Sequence, residues 1–182
     1  MAMYPIRRFG DPVLRAQTTA VAKVDDALCQ LIDDMFETMY DAPGVGLAAP
    51  QIGVGRRVAV FDTGFGREVL INPELLEVVP GEVHQTMRGE ITIPEDALEV
   101  WEYDEGCLSV PGHFWPITRP AWAVATAQNA EGEQVTYAGD ELLGRVLQHE
   151  IDHLEGVLLI ERLGKVRKRK ALKQIREEAL GI

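Results

Sequence analysis

His149-Glu150-Ile151-Asp152-His153 sets two imidazoles four residues apart, with an acid next to the first. On a helix this spacing puts both rings on one face about one turn apart, so two ring nitrogens can bind one metal ion. Glu150 is then placed to take a proton from a water without being a ligand itself. An amphipathic helix that buries two histidines for packing would look the same, so the pentapeptide leaves both readings open. A hydrolytic centre also needs a third protein ligand and a position for water, and Cys107 in Glu105-Gly106-Cys107-Leu108-Ser109 is a candidate, with Gly106 letting the backbone come close. A thiolate with two imidazoles suits Fe(II), Zn, Ni or Co, which narrows the metal without choosing it. Taken alone, Cys107 is more often a small buried apolar side chain. A third segment, Gly44-Val45-Gly46-Leu47-Ala48-Ala49-Pro50-Gln51, combines small residues that admit a ligand or another backbone with a Gln51 amide that can donate a hydrogen bond. It reads equally as a helix-ending turn that enters a tightly packed strand.

The elements around these segments follow from apolar spacing. Leu28, Leu31, Ile32, Met35 and Met39 recur at helical intervals behind a cap at Asp25 or Asp26, which predicts a helix ending before Pro43 and Gly44. Arg57–Asp62 and Val69–Asn72 are β-prone and are split by Gly64 and Gly66, as in a strand pair. Trp122–Gln128 and Glu133–Tyr137 flank a turn-rich tetrapeptide and predict a hairpin. From about Asp140 to Leu154 the residues Leu142, Val146, His149 and His153 share a face, with Asp140 as cap and Gly156 as stop. A charged helix over about 165–180 closes the chain. Met3–Ala22 reads as an irregular lead-in that wraps the domain, and the acidic stretch Pro80–Tyr103 as an excursion with a short strand of its own. Helix, then strands, then helix predicts an α+β fold: one domain over 1–182, with antiparallel sheets around the metal-binding helix and a C-terminal helix.

The 182 residues, 46% of them hydrophobic, suit one domain with its own core. A net charge of -11 argues against a general nucleic-acid surface. Residues 1–8 lack a long apolar run and no stretch is long enough to span a membrane, so a cytoplasmic protein is expected. Cys29 and Cys107 sit in unlike contexts and are read as separate, Cys29 as a packing residue. His84 and His113 are read as ordinary loop histidines, and Lys165–Lys170 as a basic patch on an acidic chain.

In residue type, order and separation, GVGLAAPQ, EGCLS and QHEIDHLEG resemble the three signature motifs of the peptide deformylases. Gly10-Asp11-Pro12-Val13-Leu14-Arg15, Phe36–Tyr40 and Leu70-Ile71-Asn72-Pro73 also look like that family, so the resemblance spans nearly the whole chain. It implies a metal-dependent hydrolase that removes the formyl group from the N-terminal methionine of nascent proteins, in the bacterial cytoplasm. It further implies that Cys107, His149 and His153 hold one divalent metal, physiologically Fe(II), with Zn, Ni or Co able to substitute. Carried over, Glu150 deprotonates a water, the hydroxide attacks the formyl carbon, and the metal, the Gln51 amide and the Leu108 backbone N–H hold the oxyanion. Glu150 then protonates the leaving amine. The peptide would lie extended near Gly46 and Gly112, with its methionine side chain against Val45, Leu142 and Val146, residues that would look as natural in a plain core. Arg119 fits a family arginine and is expected to pair with Glu105 or Glu150. In some bacterial members the C-terminal helix docks on the ribosome, which gives the basic patch a role. Two departures stand out: the excursion before EGCLS is longer than in compact members, and Gly112-His113-Phe114-Trp115 replaces a segment that carries an arginine in some relatives. Another metal-dependent amidase or endopeptidase, and a noncatalytic zinc or peptide-binding module, stay open as rivals. Glu150 and Gln51 speak against the last, since a structural site needs neither a base nor an oxyanion donor.

Overall fold

The Asp25 side chain accepts the Leu28 N–H at 2.9 Å and starts helix α1, Asp26–Asp41. Its stripe of Leu28, Ile32, Met35, Phe36 and Met39 is buried, as the apolar spacing requires. The computed structural model describes residues 3–181. Met1 and Ala2, the start of the segment read as lacking an apolar leader, lie outside the described residues.

The central sheet has the order β1-β2-β3-β8-β9, formed by β1 (Gly46–Ala48), β2 (Val58–Phe61), β3 (Glu68–Leu75), β8 (Ala123–Gln128) and β9 (Gln134–Gly139). All its pairings are antiparallel. Val58, Val60, Val69 and Ile71 point to α1, whereas Ala59, Phe61, Leu70, Ala125 and Ala127 point to helix α2, Glu141–Leu154. A sheet buried on both faces explains why β2 reads as a continuous apolar run rather than an alternating one. Among the described residues β1 pairs with β2 alone, so its other edge has no strand partner.

The predicted strand pair and hairpin form with small shifts in their ends. β3 runs on to Leu75 across an irregularity between Ile71 and Glu74. At that point Asn72 takes φ 51, and its side chain accepts the Val21 N–H and donates to the Val21 carbonyl, both at 2.8 Å. This two-way bond ties down the lead-in, which does wrap the domain: the Arg7 N–H donates to Gln51 O and the Phe9 N–H to Ser109 O.

The 80–103 excursion is more ordered than expected. It holds a complete hairpin, β4 (Val83–Thr86) with β5 (Gly89–Thr92), and the start of β6 (Val100–Gly106), which pairs with β7 (Phe114–Pro120) as a separate ribbon. Ile93 and Ala97 anchor the excursion against Val124 and Ala138, on the part of the sheet that α1 does not cover. The β6–β7 ribbon was not legible, because Glu102, Asp104, Pro116 and Pro120 interrupt its pattern. Helix α3, Lys165–Leu180, buries only Ala171 fully, beside Trp115 and Ile117 of β7. The result is a single α+β domain with antiparallel sheets and three helices.

Candidate active site

α2 and the β6–β7 ribbon bring the three motifs together. Asp140 caps α2 through its backbone rather than its side chain. Gly144 lets the helix sit against strand ends, since a Cβ there would lie 2.7 Å from Gly139 O and 3.0 Å from Ala121 O. This close seating carries His149, Glu150 and His153 under the sheet, facing Cys107 at the end of β6.

One ligand atom each from Cys107, His149 and His153 falls within 4.8 Å of the others. Cys107 Sγ is 3.2 Å from His153 Nε2. His149 Nδ1 is 2.6 Å from Glu105 Oε1, which leaves its Nε2 as the nitrogen available to a metal. Burial alone would raise the Cys107 thiol pKa, but His153 and His149 hold it well below its usual value. For His149 burial acts downward and is overcome by Cys107 and Glu105, so its pKa stands well above normal. The pocket therefore favours a thiolate, the form that binds metal, and a divalent cation would take the place of the proton on the imidazole. This donor set fits a divalent transition metal.

Glu105 organises the surroundings. It accepts Arg119 at 2.9 and 2.7 Å and Arg145 at 2.8 Å as well as facing His149. Burial pushes this carboxyl upward, but hydrogen bonds from His149 and Arg119 prevail and hold it far below the carboxylate range. Arg119 also donates to Asp152 at 2.8 Å, and Arg162 closes on the other side of that carboxylate. The expected Arg119 partner is thus Glu105 rather than Glu150, with Asp152 in addition. Sequence reasoning missed Arg145, the grip of Glu105 on His149 and the part played by Asp152. An arginine one turn before His149 and an aspartate inside the HExxH pentapeptide, both on a helix otherwise packed in the core, were the signals present.

Gln51 is held from both ends. Its Oε1 accepts the Ala48 N–H at 2.8 Å, which turns Nε2 toward Ser109 Oγ at 3.3 Å and Cys107 Sγ at 3.6 Å. Glu150 is buried, and its Oε2 has no hydrogen-bond partner among the described residues. Burial raises this carboxyl to about 7 against the lowering effect of His149 and His153. A Cβ on Gly46 would collide with Glu150 Oε1, so the glycine leaves room for this acid. Gly44 similarly makes room for Leu108, whose Cδ1 would be 2.7 Å from an added Cβ.

Of the positions expected to touch substrate, Val45 and Leu142 are 45% and 46% exposed, while Val146 is buried with the α2 core. Gly112 sits in the turn between β6 and β7 with φ +79 and nothing within 4 Å of an added Cβ, so its turn geometry accounts for the glycine. His84 lies on β4 rather than in a loop, and His113 stacks on Trp115 and contacts Glu178 of α3 at 2.6 Å. Cys29 and Cys107 are both free.

The sequence profile of the polypeptide deformylases matches residues 3–169. Peptide deformylase 1 of Clostridium acetobutylicum is 44% identical over 163 residues, covering 90% of this chain and 96% of the relative. The peptide deformylase of Acidothermus cellulolyticus is 46% identical over 177 residues, covering 97% and 88%. Among solved structures, a peptide deformylase from Legionella pneumophila superposes with a TM-score of 0.82 at 34% identity, over 98% of this chain and 96% of its own. One from Synechococcus elongatus, solved in complex with actinonin, gives 0.78 at 34% identity, over 94% and 85%.

Proposed function

The chain belongs to the polypeptide deformylase family, metal-dependent hydrolases that remove N-terminal formyl groups, and from that premise we propose which of its residues carry each step. Cys107, His149 and His153 would hold the metal, which would supply Lewis acidity and make a nearby water easier to deprotonate. Glu150 takes a proton from the attacking water as the new C–O bond forms at the formyl carbon. Gln51 Nε2 and the Leu108 backbone N–H donate to the formyl oxygen as it gains charge. Glu150 returns the proton to the departing nitrogen as the C–N bond breaks, so formate and a free amino terminus leave. The observation that carries this reading is the buried Glu150 carboxylate with an unpartnered Oε2, beside three convergent ligand atoms.

The substrate backbone adds along the open edge of β1 at Gly46 and passes near Gly112, with the methionine side chain between Val45, Leu142 and Val146. Fe(II) is the physiological metal in this reading, with Zn, Ni or Co as substitutes; the mixed thiolate and imidazole set supports it. Iron-loaded enzyme should lose activity in air faster than nickel-loaded enzyme as iron or Cys107 oxidises. The exposed Lys165, Arg167, Arg169 and Lys170 on α3 support a contact with ribosomal RNA, and a substrate made on the ribosome supports a location in the bacterial cytoplasm.

The test is formate release from formyl-Met-Ala-Ser by nickel-loaded wild type and Glu150→Gln, each with its metal content measured. A fall of about 10²–10⁴-fold in a metal-replete variant is expected. Near-wild-type turnover by the variant would remove Glu150 from the mechanism, and no formate from metal-loaded wild type would overturn the activity itself. Comparing formylated, acetylated and internal peptide amides separates this activity from that of a broader amidase or an endopeptidase.

A further inference from the structure

The outer end of β1 is held by groups that the chemistry above does not use. The strand is short, Gly46–Ala48, and residues 42–45, which lead into it from α1, lie in turn and bend. The Val45 carbonyl accepts the Asp62 N–H at 2.9 Å, so the place of Val45 follows that of Asp62. Asp62 is the first residue past β2 and lies beyond the β2–β3 ladder, whose last pair is Phe61 with Glu68. Its side chain fixes it there.

Asp62 Oδ1 accepts the Gly64 N–H at 2.8 Å and the Gly66 N–H at 3.2 Å, which closes the connection between β2 and β3 on itself. Its Oδ2 accepts the Tyr40 hydroxyl at 2.8 Å, from the last turn of α1. The Tyr40 bond, followed by that from Gly64, holds this carboxyl below its usual range, so it stays the charged acceptor that makes such bonds strong. One residue thus joins α1, the β2–β3 connection and the start of β1. The Tyr40 ring stacks on Phe36, and Arg67 lies over both rings at 5.7 and 5.0 Å from their centres. Packing explains that ring but not its hydroxyl, since a phenylalanine would stack as well.

A peptide that adds along β1 is held by backbone groups of that strand, and its affinity depends on their lying where a second strand can pair. Gln51 follows the inner end of β1, so the formyl end lies there and the peptide runs outward past Val45. We propose that Tyr40 and Asp62 are positioning residues that align the outer end of β1 for the substrate main chain; the proposal rests on the deformylase reading. Among the described residues their hydrogen bonds reach none of Glu150, Gln51, Cys107, His149 and His153. The pair therefore acts on how tightly the peptide is held rather than on how fast bound peptide reacts. The benefit grows as the main chain extends beyond the methionine.

The experiment compares nickel-loaded wild type, Tyr40→Phe, Asp62→Ala and the double variant on formyl-Met-Ala-Ser and on formyl-Met amide, with kcat, KM and melting temperature read separately. Tyr40→Phe keeps the ring and removes only the hydroxyl. The expected result is a rise in KM of about fivefold for the tripeptide with kcat unchanged, and little change for the amide. Melting should fall by no more than about 4 °C. Asp62→Ala should raise KM at least as much, and adding Tyr40→Phe to it should do nothing further, because the hydroxyl has already lost its acceptor. An unchanged KM in Tyr40→Phe would overturn the proposal, as would equal losses on tripeptide and amide or additive penalties in the double variant. A fall in kcat that tracks a large drop in melting would also overturn it, by making the pair ordinary scaffolding. Formate from neither substrate with wild type would instead sink the deformylase reading beneath it.

Discussion

The junction of α2 with β6 and the 80–103 excursion use polar and apolar groups in opposite ways. At the junction, Glu105, Arg119, Arg145, His149 and Asp152 form one closed hydrogen-bonded network, and Arg119, Glu105 and Asp152 are nearly inaccessible to solvent. The excursion instead leaves Val83, Met87, Leu98 and Val100 largely exposed and holds on through Ile93 and Ala97. The junction must keep His149 and His153 of the helix in register with Cys107 at the end of the ribbon, the three residues proposed to hold the metal, and the cross-ties join the two elements. Nothing in the excursion supplies a ligand, so it can vary in length and shape while the chemistry beside it stays fixed.

Glu105→Gln should give the largest loss of stability, because the buried Arg119 and the part-buried Arg145 would lose their shared charge. About 3–5 kcal/mol is expected by denaturant titration, the usual cost of breaking a buried ion pair from one side. A loss under about 1 kcal/mol would mean that the network is dispensable and the contrast with the excursion false. Gly46→Ala tests the same junction without touching the network. The new Cβ would displace the Glu150 carboxylate, a flexible side-chain end, so melting should change little while kcat falls about 10²-fold. Matching losses in both measurements would show that Gly46 is needed for folding rather than to make room for the base.

The difference between the regions also explains what could be read from sequence. His149, Glu150 and His153 announced themselves because helix period and ligand chemistry coincide in one pentapeptide, and α1 was legible from the spacing of Leu28 to Met39. Cys107 and Gln51 were visible only jointly with those histidines, since each alone has an ordinary structural use. Glu105 as the anchor of His149 was not legible, because 44 residues separate them and no local pattern encodes a contact across a ribbon. The excursion was half legible: Gly81, Gly89 and Pro94 marked breaks, but the half-buried face of β4 is made of His84 and Thr86 and that of β5 of Ile91 alone, so neither carries an apolar stripe.

Glu161 lies between the two extremes. It accepts the Leu158 N–H at 3.0 Å and pairs with the half-exposed Arg15 at 2.8 Å. Burial raises its carboxyl, but the Arg15 and Leu158 bonds together win and its folded pKa is depressed. A depressed folded pKa gives stability that is present above the unfolded value near 4.5 and is lost as pH falls through the folded one. Glu161→Gln should therefore cost about 0.5–1 kcal/mol at neutral pH, discounted for solvent screening, and progressively less in acid. A difference that grows in acid would contradict the assigned sign.

The smallest effect belongs to the excursion itself. Val83 is 52% exposed at the start of β4 and pairs with Thr92 across the hairpin. Val83→Thr keeps the β-branched shape and the strand preference, and it exchanges a methyl already in contact with water for a hydroxyl that water can satisfy. Stability should move by no more than about 0.5 kcal/mol, and formate release from formyl-Met-Ala-Ser should be unchanged. A loss of several kcal/mol would mean that this face is covered in solution, by a second copy or a partner, and that the excursion is no looser than the junction. A null result, set beside a large Glu105→Gln loss in the same assay, would confine the rigidity of the fold to the elements that carry the ligands.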